Sequence, residues 1–129
     1  MKLFQSISIL SLLLVGINCF AQEAKTTDCK ILKDIKMRYT EEANKNSYVI
    51  IQGNTHTEYV ENGKYIIKST LNWINDCEYD ATLIETTIPN FLKPGVVMHV
   101  TFEKIEKGIV SGHASIDGNI FPVEFKIIK

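Results

Sequence analysis

The sequence predicts an all-β domain, a small antiparallel up-and-down barrel of about eight strands. Three observations carry that expectation. Turn signals recur from Ile31 onward, the segments between them alternate apolar and polar residues, and no stretch sustains helical periodicity. Eight short strands fit either a barrel or a β-sandwich. Nearly all the connections are short hairpins, which favours the barrel.

The first segment stands apart from this pattern. Met1-Lys2 opens the chain with a positive charge, and Leu3 to Val15 is an apolar, serine-broken run too short to span a membrane comfortably. Cys19-Phe20-Ala21 places small residues at the −3 and −1 positions of a cleavage site. Residues 1–21 therefore read as a secretory signal peptide and 22–129 as one β-domain, exported to the periplasm or the extracellular space. No stable membrane span remains after cleavage. The alternative is a lipid anchor on Cys19; the residue before it, Asn18, is not the small residue such an anchor wants.

Cleavage removes one of the three cysteines and leaves Cys29 and Cys77. In an oxidising compartment such a pair reads as a disulfide. With no Cys-x-x-Cys and no histidine beside either thiol, a redox or nucleophilic role is disfavoured.

The strands follow in order. Ile31, Ile35, Met37 and Tyr39 alternate with Lys36 and Arg38. After a polar loop come Tyr48 to Ile51, a break at Gly53-Asn54, and Thr55 to Val60. Asn62-Gly63 is a strong hairpin signal because a type I′ turn needs positive φ at both central residues. Lys64 to Ile74 and Cys77 to Thr87 are the longest strands, turning at Asn75-Asp76. A Pro/Gly loop, Ile88 to Gly95, precedes Val96 to Ile105, Ile109 to Ile116 and Asn119 to Ile128.

Turn positions also predict register. With Asp117-Gly118 as a two-residue turn, Ala114 faces Phe121, Gly112 faces Val123 and Val110 faces Phe125. With Glu106-Lys107-Gly108 as a three-residue turn, Ile105 pairs Ile109, Phe102 meets Gly112 and Val100 meets Ala114. Cross-strand partners share a face, so these residues form one apolar surface in which large meets small. Tyr65, Ile67, Leu71 and Trp73 join it with Cys77, Tyr79, Ala81 and Leu83. Pro122, inside the last strand, marks an edge, a bulge or a closure seam.

The Asn62-Gly63 register carries an oddity. It sets Glu58 opposite Ile67 and His56 opposite Ser69, on the core side, where a carboxylate and an imidazole perturb each other's environment and can mark a site. A bulge at Gly53-Asn54 or in the turn would reverse the parity. Thr57 and Tyr59 would then face inward, and this solvated placement of His56 and Glu58 is the one expected, because turn chemistry alone does not fix register. His99 and His113 fall on the outer face as diagonal neighbours, without an evident third metal ligand. A Ser111/His113/Glu103 set is conceivable, with Glu103 opposite Ser111.

No Gly-x-Ser-x-Gly elbow, phosphate loop or His-Glu-x-x-His is present, so no catalytic set, metal or cofactor is assigned. The formal net charge of −1 argues against nucleic acid, which calls for clustered Lys and Arg. What remains is a non-enzymatic exported module that binds a small apolar ligand in the barrel mouth, or an envelope or protein partner through the Ile88–Gly95 loop. His56, Glu58, Tyr65, Trp73 and Phe91 are the candidate ligand-binding residues. The rival class is an enzyme, of hydrolase type or other, using His56/Glu58 or Ser111/His113/Glu103.

Trp73-Ile74-Asn75-Asp76-Cys77-Glu78-Tyr79, with Cys29 upstream and Thr87 to Phe91 downstream, resembles a group of short exported bacterial proteins. Those have a cysteine near the mature N-terminus and a central Trp-x-x-x-Cys-x-Tyr/Phe segment. The resemblance supports the Cys29–Cys77 pair and implies no activity.

Overall fold

The computed structural model describes residues 27–128; the leader 1–21 and its cleavage site lie outside the described residues. Eight antiparallel strands run in chain order: β1 (Asp34–Tyr39), β2 (Tyr48–Gln52), β3 (Thr55–Val60), β4 (Tyr65–Asn75), β5 (Glu78–Thr86), β6 (Val97–Glu106), β7 (Ile109–Ile116) and β8 (Asn119–Ile127). Each pairs with its sequence neighbour, and β1 pairs with β8, so the sheet closes into an up-and-down barrel. The sandwich alternative is excluded.

The alternation of apolar and polar residues sets which face lies inside. Met37, Val49, Ile51 and Val110 are fully buried. A row of aromatics fills the barrel between them: Trp73 against Tyr79 (ring centroids 5.0 Å apart), Tyr79 against Phe102 (6.0 Å) and Phe102 against Phe125 (6.3 Å).

One end of the barrel is plugged. The segment Lys30–Lys33 is a short 3-10 turn, closed by the Leu32 N–H donating to the Cys29 carbonyl at 2.9 Å. Leu32 and Cys29 sit fully buried in the core, and Cys29 is disulfide-bonded to Cys77 in the β4–β5 turn. The expected strand start at Ile31 is therefore corrected. Ile31 lies in the 3-10 turn and is exposed, because the chain must turn here to tuck Cys29 and Leu32 under the barrel.

The β7–β8 register is as expected, with Ala114 opposite Phe121, Gly112 opposite Val123 and Val110 opposite Phe125. In β6–β7 the pairs Phe102–Gly112 and Val100–Ala114 form, but by another route. The turn contains two residues, Lys107-Gly108, so Glu106 pairs Ile109 and Ile105 pairs Val110. Both turn residues take positive φ (51° and 77°), the tight geometry that follows the twist of the strands. A bulge at Glu103 restores the register, so Lys104, not Glu103, stands opposite Ser111. Pro122 lies at the closure seam: β1 pairs β8 only from Phe125 to Ile127, which leaves Pro122 with β7 alone.

Gly112 is required by close approach. A Cβ there would overlap the Thr101 carbonyl oxygen and come within 2.8 Å of the Phe102 Cα. Gly112→Ala is expected to lower stability by about 1–3 kcal/mol through overpacking against backbone that cannot yield. Chemical denaturation checks this, a midpoint unchanged from wild type counting against it. The disulfide closes a loop of sequence separation 48. Replacing both cysteines by serine is expected to cost about 4 kcal/mol through restored denatured-state entropy.

Candidate functional site

The placement of β3 creates the site. Gly53-Asn54 closes β2 to β3 as a two-residue turn, with Gln52 opposite Thr55, Ile51 opposite His56 and Val49 opposite Glu58. On the other side the Glu61–Lys64 turn, with φ of 50° at Glu61, 59° at Asn62 and 91° at Gly63, leads to Val60 opposite Tyr65. Glu58 therefore meets Ile67, and His56 meets Ser69. Since Val49 and Ile51 are fully buried, their cross-strand partners point inward too. The solvated placement of His56 and Glu58 is overturned, because neither turn introduces a bulge. Tyr59 instead stacks on Tyr48, with ring centroids 4.8 Å apart.

His56 is only 4% exposed, and among the described residues its Nδ1 has no hydrogen-bond partner. Its ring lies 6.2 Å from that of Tyr79. Burial holds the imidazole neutral, with its pKa lowered to about 4. Glu58 is half-buried; its Oε1 accepts a hydrogen bond from the Tyr39 hydroxyl at 2.8 Å. Burial pushes its carboxyl pKa up, against the opposing effect of that bond. The hydroxyls of Tyr39 and Tyr79 are pushed up as well, first by burial and then by the charge of Glu58. Among the described residues no Lys, Arg or His forms an ion pair with Glu58.

His56 and Glu58 border a cavity of about 80 Å³ at the end of the barrel opposite the plug. That is several times the space one water molecule needs. Ser69, Ala81 and Leu83 line it from β4 and β5, Met98 and Ile116 from β6 and β7. Phe91 and Leu92, from the Ile88–Gly95 loop, complete the lining although they are 41% and 37% exposed. The loop is fastened to β5 at its base, where the Gly95 N–H donates to the Leu83 carbonyl at 2.8 Å and the Leu83 N–H to the Val96 carbonyl at 2.9 Å.

Of the sequence-predicted residues, His56, Glu58 and Phe91 come together here. Tyr65 and Trp73 do not. Tyr65 opens β4 with the Lys64 ammonium 5.2 Å from its ring centroid. Trp73 lies at the plugged end, its Nε1 donating to the Gly53 carbonyl at 2.9 Å. Sequence reasoning missed Tyr39 and Ser69. Tyr39 was legible as an inward position, but its contact with Glu58 crosses the intervening strand β2.

The outer-face residues form separate clusters. His99 Nδ1 meets Asp80 and Nε2 meets Glu78, each at 2.7 Å. With a carboxylate at both nitrogens both must donate, which requires the imidazolium and raises its pKa, chiefly through the Asp80 bond. His113 Nδ1 contacts the bulged Glu103 carboxylate. Lys104, not Glu103, stands opposite Ser111, and among the described residues no side-chain hydrogen bond joins Ser111 to His113, so of the conceivable Ser111/His113/Glu103 set only His113 and Glu103 meet. No group of three or more His, Cys, Asp or Glu side chains is placed to hold a metal ion among the described residues.

Comparison of the chain with protein-family models, with curated proteins and with solved structures finds no match.

His56 makes stability pH-dependent. Its pKa is 6.5 when unperturbed and about 4 in the fold, so in that window the unfolded chain binds the additional proton. Stability therefore falls as pH drops from 6.5 to 4, by about 3 kcal/mol from this group. Glu58 acts in the opposite sense: its raised pKa lets the folded chain take up its proton first, so acidification through that value adds stability. Urea denaturation of the wild type and His56→Gln at pH 7 and 4 separates the two. The variant is expected to lose about 3 kcal/mol less than wild type on acidification; equal losses would place the imidazole in solvent.

Proposed function

We propose that this chain is an exported, non-enzymatic β-barrel module that binds a small, mostly apolar ligand at the open end of the barrel. The disulfide, a bond that persists in oxidising compartments, and the apolar leader support export. The observation that carries the binding assignment is the asymmetry of the interior. Aromatic rings fill the plugged end, while the open end keeps a cavity bordered mainly by aliphatic side chains. An eight-stranded barrel is wide enough to be packed solid or to hold one small ligand, and here each half does one of the two. Phe91 and Leu92 are apolar yet exposed over the cavity, the arrangement of a cover that gains partners when a ligand fills the space beneath it.

Titration of ¹⁵N-labelled protein with 1-hexanol tests this. Saturable shifts are expected at Ile67, Leu83, Leu92 and Met98, with Trp73 and the Cys29–Cys77 end unmoved. No saturable shift, or shifts confined to the plugged end, would overturn the assignment.

A further inference from the structure

The cavity is apolar except at its inner wall, where β3 and β4 place His56, Glu58 and Ser69. Two of these are incompletely satisfied. Glu58 carries a carboxylate whose one side-chain partner is the neutral Tyr39 hydroxyl, and no cationic side chain is paired with it among the described residues. Two positions along the same inward face, the buried His56 Nδ1 has no hydrogen-bond partner among the described residues. A buried polar group left unpaired is costly, and a buried carboxylate is normally matched by a cation. Among the described residues Glu58 has none.

Building on the proposed ligand site, we infer that its ligand is an amine: an apolar body carrying a protonated nitrogen that sits against Glu58 and His56. The chemistry of the alternatives is less well matched. A carboxylate head would face the like charge of Glu58, whereas a hydroxyl has a single proton to donate. An ammonium group has several, enough to reach the Glu58 carboxylate and a neutral imidazole together, and it brings the missing counter-charge. The rest of such a molecule would lie along Leu83, Met98 and Ile116 toward Phe91 and Leu92, all of which border the cavity.

Binding of n-hexylamine, 1-hexanol and hexanoate at neutral pH, followed by NMR, compares three heads on one chain. Hexylamine is expected to bind about ten-fold more tightly than hexanol, as a charge-assisted hydrogen bond implies, and hexanoate more weakly than both. Its nitrogen-bearing methylene should give nuclear Overhauser contacts to Glu58 and the His56 ring. In Glu58→Gln, an isosteric change, the amine's advantage over hexanol should disappear while hexanol still binds. The contacts in the unmodified protein decide the matter even if that variant folds poorly. Equal binding of amine and alcohol, preference for hexanoate, or an amine bound with its methyl end at His56 would overturn the amine inference and leave the apolar site standing. Failure of all three ligands to bind would overturn both.

Discussion

Strand parity in a closed sheet is the constraint on which the rest depends. Side chains alternate faces along a strand, and slipping any pairing by one residue exchanges inside for outside. A barrel has no free edge along which to absorb such a slip. β3 shows the consequence most clearly. It is held between β2 and β4 by two hairpins that agree: one fixes His56 against Ile51, the other against Ser69. With Ile51 fully buried, no position remains for His56 except the interior, whatever the imidazole would prefer.

The interior is then divided by what closes each end. At the plugged end the 3-10 turn inserts Leu32, and the Cys29–Cys77 bond ties that plug to the β4–β5 turn. The backbone reinforces the tie, with the Phe102 N–H donating to the Cys77 carbonyl at 2.8 Å. Rings of Trp73, Tyr79, Phe102 and Phe125 pack inward from there. Among the described residues the opposite end has no equivalent plug. Its connections are two tight turns, the β1–β2 segment with a 3-10 turn at Glu42–Asn44 that buries no side chain, and the Ile88–Gly95 loop, which contributes two apolar side chains where the other end contributes a covalently fastened segment. A filled core and a cavity thus follow from the same strands with different closures.

Much of this was legible from turn chemistry. Asp117-Gly118 predicted the whole β7–β8 register, and Asn62-Gly63 predicted the His56–Ser69 and Glu58–Ile67 pairs, although the observed turn spreads positive φ over three residues. The solvated alternative failed because it required a bulge that Gly53-Asn54 does not make. The Glu103 bulge was illegible for a physical reason. A turn shortened by one residue and a strand lengthened by one cancel, so the core pairs Phe102–Gly112 and Val100–Ala114 look the same either way. The plug was hidden because Ile31 and Ile35 keep an alternation that a strand would also show. The Tyr39–Glu58 bond spans a strand, and pairing rules reach only to the next one.

The polar residues of the site stand out against what the same positions hold next door. On β2 the inward residues opposite Glu58 and His56 are Val49 and Ile51, and valine or isoleucine on β3 would complete a dry core. A histidine with an unpartnered buried nitrogen costs about 1–3 kcal/mol, a large part of the ~5–15 kcal/mol by which a small domain is stable. That cost falls at one place in the barrel. It is the place where packing also stops short, and where the covering loop turns Phe91 and Leu92 over open space rather than against a core. Unmet hydrogen-bonding capacity, unfilled volume and a loosely backed apolar cover coincide at this end, which is the ground on which a small molecule with one polar end is proposed as the ligand.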